Sequence, residues 1–228
     1  VDYLLVSDGV FSNTKSIIEK KLLKTSYYGA IAVRTQIETK DINNFDTNNI
    51  SLIMGSNAHL VLYPVNQKKE INLVCIIKKK LKEENSIKNI LENTIYKENN
   101  GLINLFKGDL KSWPIYISNK PSKSIYKNVF YIGDSFYTFP PSMAQGASQA
   151  IEAANEIFEL ITSNKLDIKN EYFNNRLKKT NLVNKRSKIN YFSFHLSNSF
   201  LKFFRNFFLK RLVKNKNFIQ SYLGKIYK

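Results

Sequence analysis

Apolar and polar positions alternate or recur along the chain in a way that defines most of its elements. Residues 1–6, "VDYLLV", form an apolar run that predicts a buried strand ending at the turn "SDG". Ser12 to Lys24 follows as a short basic helix, and "YGAIAVRTQI" (Tyr28–Ile37) is β-branched enough to predict a strand. "NAHLVLYPV" and "INLVCIIK" flank the polar turn "NQKKE", which predicts an antiparallel hairpin with His59, Val61, Tyr63 and Val65 on one face. Ile87, Ile90, Leu91 and Ile95 recur at helical spacing within 83–98. "SWPIYIS" and "NVFYIGD" are further strand candidates. From Gln145 to Ile161 the period becomes helical, with an apolar stripe of Ala147, Ala150, Ile151, Ala154, Ile157, Phe158 and Ile161. "TSNKLD" interrupts it, and 165–228 reads as basic, phenylalanine-rich helix. Strands mixed with helices, with antiparallel pairing in the middle, predict an α/β frame carrying an inserted sheet.

The stretch "YIGDSFYTFPPSMAQGASQAIEAA" (Tyr131–Ala154) carries the candidate chemistry. A strand ending in Gly-Asp places the Asp134 carboxylate at the carboxyl edge of a sheet, where open α/β folds bind ligands. That carboxylate accepts hydrogen bonds from the hydroxyls of a polyol but repels phosphate. Pro140 and Pro141 stiffen the following loop. Gln145-Gly146-Ala147 then opens a helix whose first N–H groups lack partners and whose dipole favours negative charge. An acid for hydroxyls beside such amides suits a sugar-linked ring that becomes anionic, as reduced flavin does.

Charge and composition change this picture little. The 228 residues carry a net charge of +17, which raises the question of nucleic acid. Lysine greatly outnumbers arginine, however, and base and phosphate readout leans on the arginine fork, so no nucleic-acid partner is expected. The lone cysteine, Cys75, lies in an apolar run and reads as core. One cysteine and two distant histidines give no metal site. No apolar run approaches the roughly 20 residues that span a bilayer. The expected compartment is cytoplasmic, with membrane association in one reading of the tail.

Two stretches carry a resemblance to a known family. "NVFYIGDSFYTFPPSMAQGASQAIEAA" resembles the second FAD-binding motif of the group A FAD-dependent aromatic-ring monooxygenases, and "DYLLVSDGVFSNTK" is similar to their "DLLVGADGxxSxxR" motif. The salicylate hydroxylase-like subgroup looks nearest, with ubiquinone-pathway hydroxylases as relatives. "YYGAIAVRTQI", "AHLVLYPV" and "SWPIY" resemble the family's sheet segments more loosely. Departures are the family's "GDAAH", here "GDSFY"; its Gly-Gly-Gln-Gly turn, here Met143-Ala144-Gln145-Gly146; and Ser148 and Ala153 in place of an Asn and an acid.

The resemblance implies an α/β fold: an incomplete FAD/NAD(P)-binding domain of the aromatic hydroxylase type with an inserted mixed or antiparallel substrate-domain sheet and C-terminal helices. The first part of the FAD domain would be 1–26, the substrate sheet 27–118, the second FAD part 119–163 and the basic helical region 164–228. It also implies NAD(P)H as co-substrate, O2, and a small aromatic substrate that is hydroxylated. Asp134 would hold the ribityl chain, and the amides of Gln145, Gly146 and Ala147 would meet the pyrimidine edge of the ring. Pro140 and Pro141 would lie beside the isoalloxazine. Asp8 and Gly9 would approach the pyrophosphate with Lys15 in support. Arg34, His59 and Tyr63 would line the substrate cavity, and no catalytic base is readable. No G-x-G-x-x-G occurs in the chain, and it opens at Val1 inside a strand-like run. Both features point to the C-terminal portion of a longer hydroxylase, inactive alone. A related reductase or dehydrogenase, or a remnant without flavin, are the alternatives. The tail "FLKFFRNFFLKRLVKNKNFIQSYL" is read as packing on its own domain or in a homodimer, with peripheral membrane contact as the other reading.

Overall fold

The computed structural model describes residues 2–20, 25–42, 46, 48–80, 86–92, 105–106, 110–163 and 165–227. It divides into two compact units. The first comprises 1–28, 116–191 and 216–228, and the second 29–115 and 192–215.

In the first unit, β1 (Leu4–Val6) pairs in parallel with β7 (Val129–Tyr131), with Leu4 opposite Val129 and Val6 opposite Tyr131. The expected buried strand at the start of the chain is only partly so. Val6 is buried, but Leu4 and Leu5 are 37% and 47% exposed. The reason is that β1 has a single strand neighbour among the described residues. Helix α1 (Asn13–Glu19) is capped by Ser12, whose hydroxyl accepts from the Lys15 N–H at 3.0 Å, and it stops at Lys20 in the left-handed conformation. Residues 21–24 of the expected helix lie outside the described residues.

Helix α3 (Gly146–Thr162) follows the Gly-Asp loop, and α4 (Ile168–Phe194) is a 27-residue helix that leaves the first unit after Tyr191. The face that α3 buries differs from the expected stripe. Gln149, Ala153, Ile157 and Leu160 are buried, while Ile151 and Phe158 are 71% and 64% exposed. Small Ala150 lets the helix lie close on the Gly133 turn, and Gln149 is tolerated because Arg176 of α4 donates to its Oε1 at 2.6 Å. Arg176 is itself buried and also donates to Glu156 at 3.2 Å. Short helices α6 (Lys216–Tyr222) and α7 (Gly224–Tyr227) complete this unit.

The second unit is built on a five-stranded sheet of order β3-β4-β5-β2-β6. Its strands are β2 (Thr25–Glu38), β3 (Ser51–Met54), β4 (Ala58–Val65), β5 (Glu70–Lys78) and β6 (Lys111–Ser118). The predicted hairpin is β4–β5, antiparallel, with Leu60 opposite Cys75 and Leu62 opposite Leu73. One sheet face forms the core from Ile31, Val33, Leu60, Leu62, Leu73, Cys75 and Ile77, on which Leu91 of α2 (Ile87–Leu91) packs. The rest of the helix expected over 83–98, Ile95 included, lies outside the described residues. Burial pushes the Cys75 thiol pKa well up, so it is an inert core sulfur. Helix α5 (Ser199–Leu212) also belongs to this unit. Among the described residues no helix is long and apolar enough to cross a membrane.

Candidate functional site

Parallel pairing makes β1 and β7 run out at the same edge, so the turns that follow them, Ser7-Asp8-Gly9 and Gly133-Asp134, emerge together. Ser135 stitches them. Its buried hydroxyl accepts from the Ile132 N–H at 3.1 Å and donates to the Val6 carbonyl at 2.5 Å, joining β7 to the end of β1. Lys15 adds a second tie. Its ammonium donates to the Ser135 carbonyl at 2.6 Å and to Ser122 Oγ at 3.0 Å, and the residue is only 4% exposed. Desolvation pulls its pKa down, against the opposing pull of Asp8 and Glu19. Lys15 thus reaches from α1 into the Gly-Asp loop, and its charge is turned inward.

Asp8 stands at the solvent edge and accepts from the Thr14 N–H at 3.1 Å, so it takes a second first-turn N–H of α1 beside the one that Ser12 caps. Slight burial alone would raise its pKa; hydrogen bonds from Ser12 and Thr14 outweigh that and hold it below the ordinary carboxylate value. Gly9 takes φ +88°, a conformation that L side chains rarely adopt.

The Gly133 turn also needs its glycine. Its φ is +61°, and a Cβ there would sit 3.0 Å from Ala150 Cβ of α3. Asp134 follows with its surface open to solvent, yet enough atoms crowd it that desolvation pushes its carboxyl above the usual range. Phe136 and Tyr137, which replace smaller residues of the resembling motif, turn into the core. Phe136 meets Tyr172 and Phe173 edge-on, and the Tyr137 hydroxyl accepts from Asn184 Nδ2 at 2.8 Å. Pro140 is fully buried, and Pro141 is exposed at the head of a 3-10 turn that ends in Ala144 at φ +52°.

That left-handed residue redirects the chain into α3. Gln145 occupies the N-cap position without capping through its side chain, and Gly146 and Ala147 are exposed. Their N–H groups, with that of Ser148, precede the first intrahelical bond, from Gln149 N–H to the Gln145 carbonyl. Among the described residues a Cβ on Gly146 would meet no atom within 4 Å, so none of them requires glycine there. Gly133, Asp134, Gly146, Gln149 and Arg176 share the lining of one recess of about 10 Å³. It has room for about one water, so a planar ring fits only outside it, across the exposed amides. The nine residues expected at FAD all lie in the first unit.

Arg34, His59 and Tyr63 lie in the second unit and share one face of its sheet. The register aligns Arg34 with Val74 and Val61, Ala32 with Ile76 and His59, and Gln36 with Asn72 and Tyr63. This is the face opposite the apolar core. Arg34 is exposed with its guanidinium 5.8 Å from the Trp113 ring, and Tyr63 is half-buried. His59 is buried, with its Nδ1 2.9 Å from His195 Nε2. Desolvation pushes the His59 pKa down to about 4, and desolvation, His59 and Lys78 together push His195 down to about 3. Sequence reasoning passed over two polar residues. Ser135 is one. Asn72 is the other: it lies on the same face as Tyr63, 5% exposed, and its Nδ2 has no partner among the described residues. A lone Asn inside "INLVCII" was the available signal.

No family model matches the sequence, and no curated protein is similar to it by sequence. Solved structures are similar in fold. HpxO of Klebsiella pneumoniae, crystallised with FAD and uric acid, superposes with a TM-score of 0.80 at 15% identity, over 99% of this chain and 60% of its own. A salicylate hydroxylase substrate complex gives 0.72 at 16% identity, over 87% and 56%. The 2,6-dihydroxypyridine-3-hydroxylase of Arthrobacter nicotinovorans gives 0.62 at 14%, over 82% and 57%. The fold is therefore the one these hydroxylases share, and the chain spans 56–60% of their lengths.

Proposed function

We propose that this chain is the flavin-ring-binding and substrate-sheet part of an FAD-dependent monooxygenase that hydroxylates an aromatic substrate with NAD(P)H and O2. One observation carries the reading. Asp134 and Gly146, the first residue of a helix that no side chain caps, stand at one recess of the first unit, and the Cβ position of Gly146 is open toward whatever lies outside. This donor and acceptor set fits a flavin: a carboxyl for ribityl hydroxyls, and backbone N–H groups with a helix dipole for the ring's electron-rich edge. The cofactor, when bound, supplies the redox chemistry and the activation of O2. The chain's own part is placement. Asp134 would fix the sugar chain, α3 would stabilise negative charge on the ring, and Pro140 and Pro141 would hold the intervening loop rigid. Asp8 and Gly9 would lie toward the pyrophosphate, and Lys15 would act by locking the two motif loops together. In this reading the first unit holds the cofactor and the second supplies the substrate face, with Arg34, Tyr63 and Asn72 Nδ2, which has no partner among the described residues, as its polar contacts. The resemblance of the two motifs to those of the family and the shared fold support it.

The test is flavin binding by the purified protein. A yellow protein whose NAD(P)H oxidation rises with aromatic compounds is the expected result. Gly146→Val should weaken FAD at least tenfold with the melting temperature unchanged, because its side chain enters space that only a ligand would occupy. Colourless protein, or a Gly146→Val variant with undiminished flavin affinity, refutes the reading.

A further inference from the structure

Helix α5 is amphipathic in an inverted sense. The residues on its inner side, Lys202, Arg205, Leu209 and Leu212, are partly buried, and its two cations are the anchors. Lys202 Nζ donates to Ser56 Oγ at 2.9 Å, and Arg205 donates to the Ser193 carbonyl at 3.0 Å. Asn198 caps the helix by accepting from Phe200 and Leu201 N–H. The opposite side carries Phe200, Phe203, Phe204, Phe207 and Phe208, which are 39–68% exposed, and no α5 residue is fully buried. Neighbouring rings touch along the helix, Phe200 with Phe204 at 4.6 Å and Phe207 with Phe208 at 5.6 Å. The expectation that this stripe packs on its own domain is thereby corrected: with the cations turned inward as anchors, the rings face outward.

A continuous aromatic band of this kind exceeds the scattered apolar residues of an ordinary surface. Charge decides what covers it. Lys210, Arg211 and Lys214 are exposed at the end of the band, and no Asp or Glu occurs anywhere from Tyr172 to Lys228. Two copies meeting through this face would bring together cations with no acid to offset them. An anionic lipid surface satisfies both parts, taking the rings among its acyl chains and the cations among its headgroups. We infer that the outward face of α5 is a membrane-docking surface for anionic lipid, lying in the interface without spanning it.

The experiment is co-sedimentation of the purified chain with phosphatidylcholine vesicles, with and without phosphatidylglycerol, at low and high salt. Pelleting should require phosphatidylglycerol and weaken with salt. Phe203→Ser with Phe207→Ser should lower the partition coefficient at least tenfold with the helix content unchanged. Lys210→Glu with Lys214→Glu should do the same by reversing the charge at the end of the band. Sedimentation velocity without lipid should show no association through these rings. Absence of pelleting, pelleting indifferent to both pairs of substitutions, or a dimer that the serine pair dissolves would each overturn the inference, the last assigning the face to a second copy. None of these readouts involves flavin.

Discussion

Strands β5 and β1 are both apolar runs in the sequence, and the structure treats them oppositely. β5 lies between β4 and β2, and Ile71, Leu73, Cys75, Ile76 and Ile77 are all buried. Among the described residues β1 has only β7 beside it, and of its three residues only Val6 is buried. An apolar run thus specifies strand, but neighbours on both edges and both faces decide how much of it leaves water. The antiparallel sheet supplies those neighbours from its own hairpins. The parallel pair depends on whatever else reaches its edge.

The contrast can be broken most strongly by truncating one residue on each side. Leu73→Ala, fully buried in the second unit, should cost about 4 kcal/mol in denaturant unfolding, whereas Leu5→Ala should cost under about 1 kcal/mol. Equal losses would show that β1 is buried as deeply as β5. Acid offers a second probe, through the histidine pair of the second unit. Unfolded histidine titrates near 6.5, but the folded His59 and His195 rings stay neutral down to about 4 and 3. Between those values the unfolded chain binds more protons, so the stability present above about pH 6.5 is lost as pH falls. From pH 7 to 5.5 the pair should cost about 2–3 kcal/mol, a slope that His59→Phe flattens. The carboxylates with lowered pKa, Asp8 among them, enter only below that window. The third and smallest effect sharpens the picture in the first unit. Gly133→Ala should destabilise by about 2 kcal/mol, from left-handed strain and the contact with Ala150, measured by thermal melting. Gly146, unencumbered by its own chain, marks the other use of glycine.

Much of the fold was legible from spacing. The β4–β5 hairpin, the strand into Gly-Asp and helix α3 all follow from period and turn chemistry. The face α3 buries was not, because an alanine-rich helix offers several adjacent apolar arcs and the Gly133 contact with Ala150 selects one. The orientation of α5 was hidden for a related reason. A wheel shows its stripe plainly, but hydrogen bonds from Lys202 and Arg205 decide which side faces inward. At the candidate site, Asp134 and Gly146 could be named from the motif, since backbone geometry follows from Gly and Pro positions. The roles of Lys15 and Ser135 could not. They depend on Ser122, Val6 and Ile132, partners that only the folded chain brings within reach.

Because Cys75 is the single cysteine of these 228 residues and is wholly enclosed by the hairpin sheet, its reactivity is tied to the opening of that sheet. A thiol-specific dye added to the untouched protein would therefore time those openings directly. The same shielding keeps this sulfur away from oxidants for as long as the sheet stays closed.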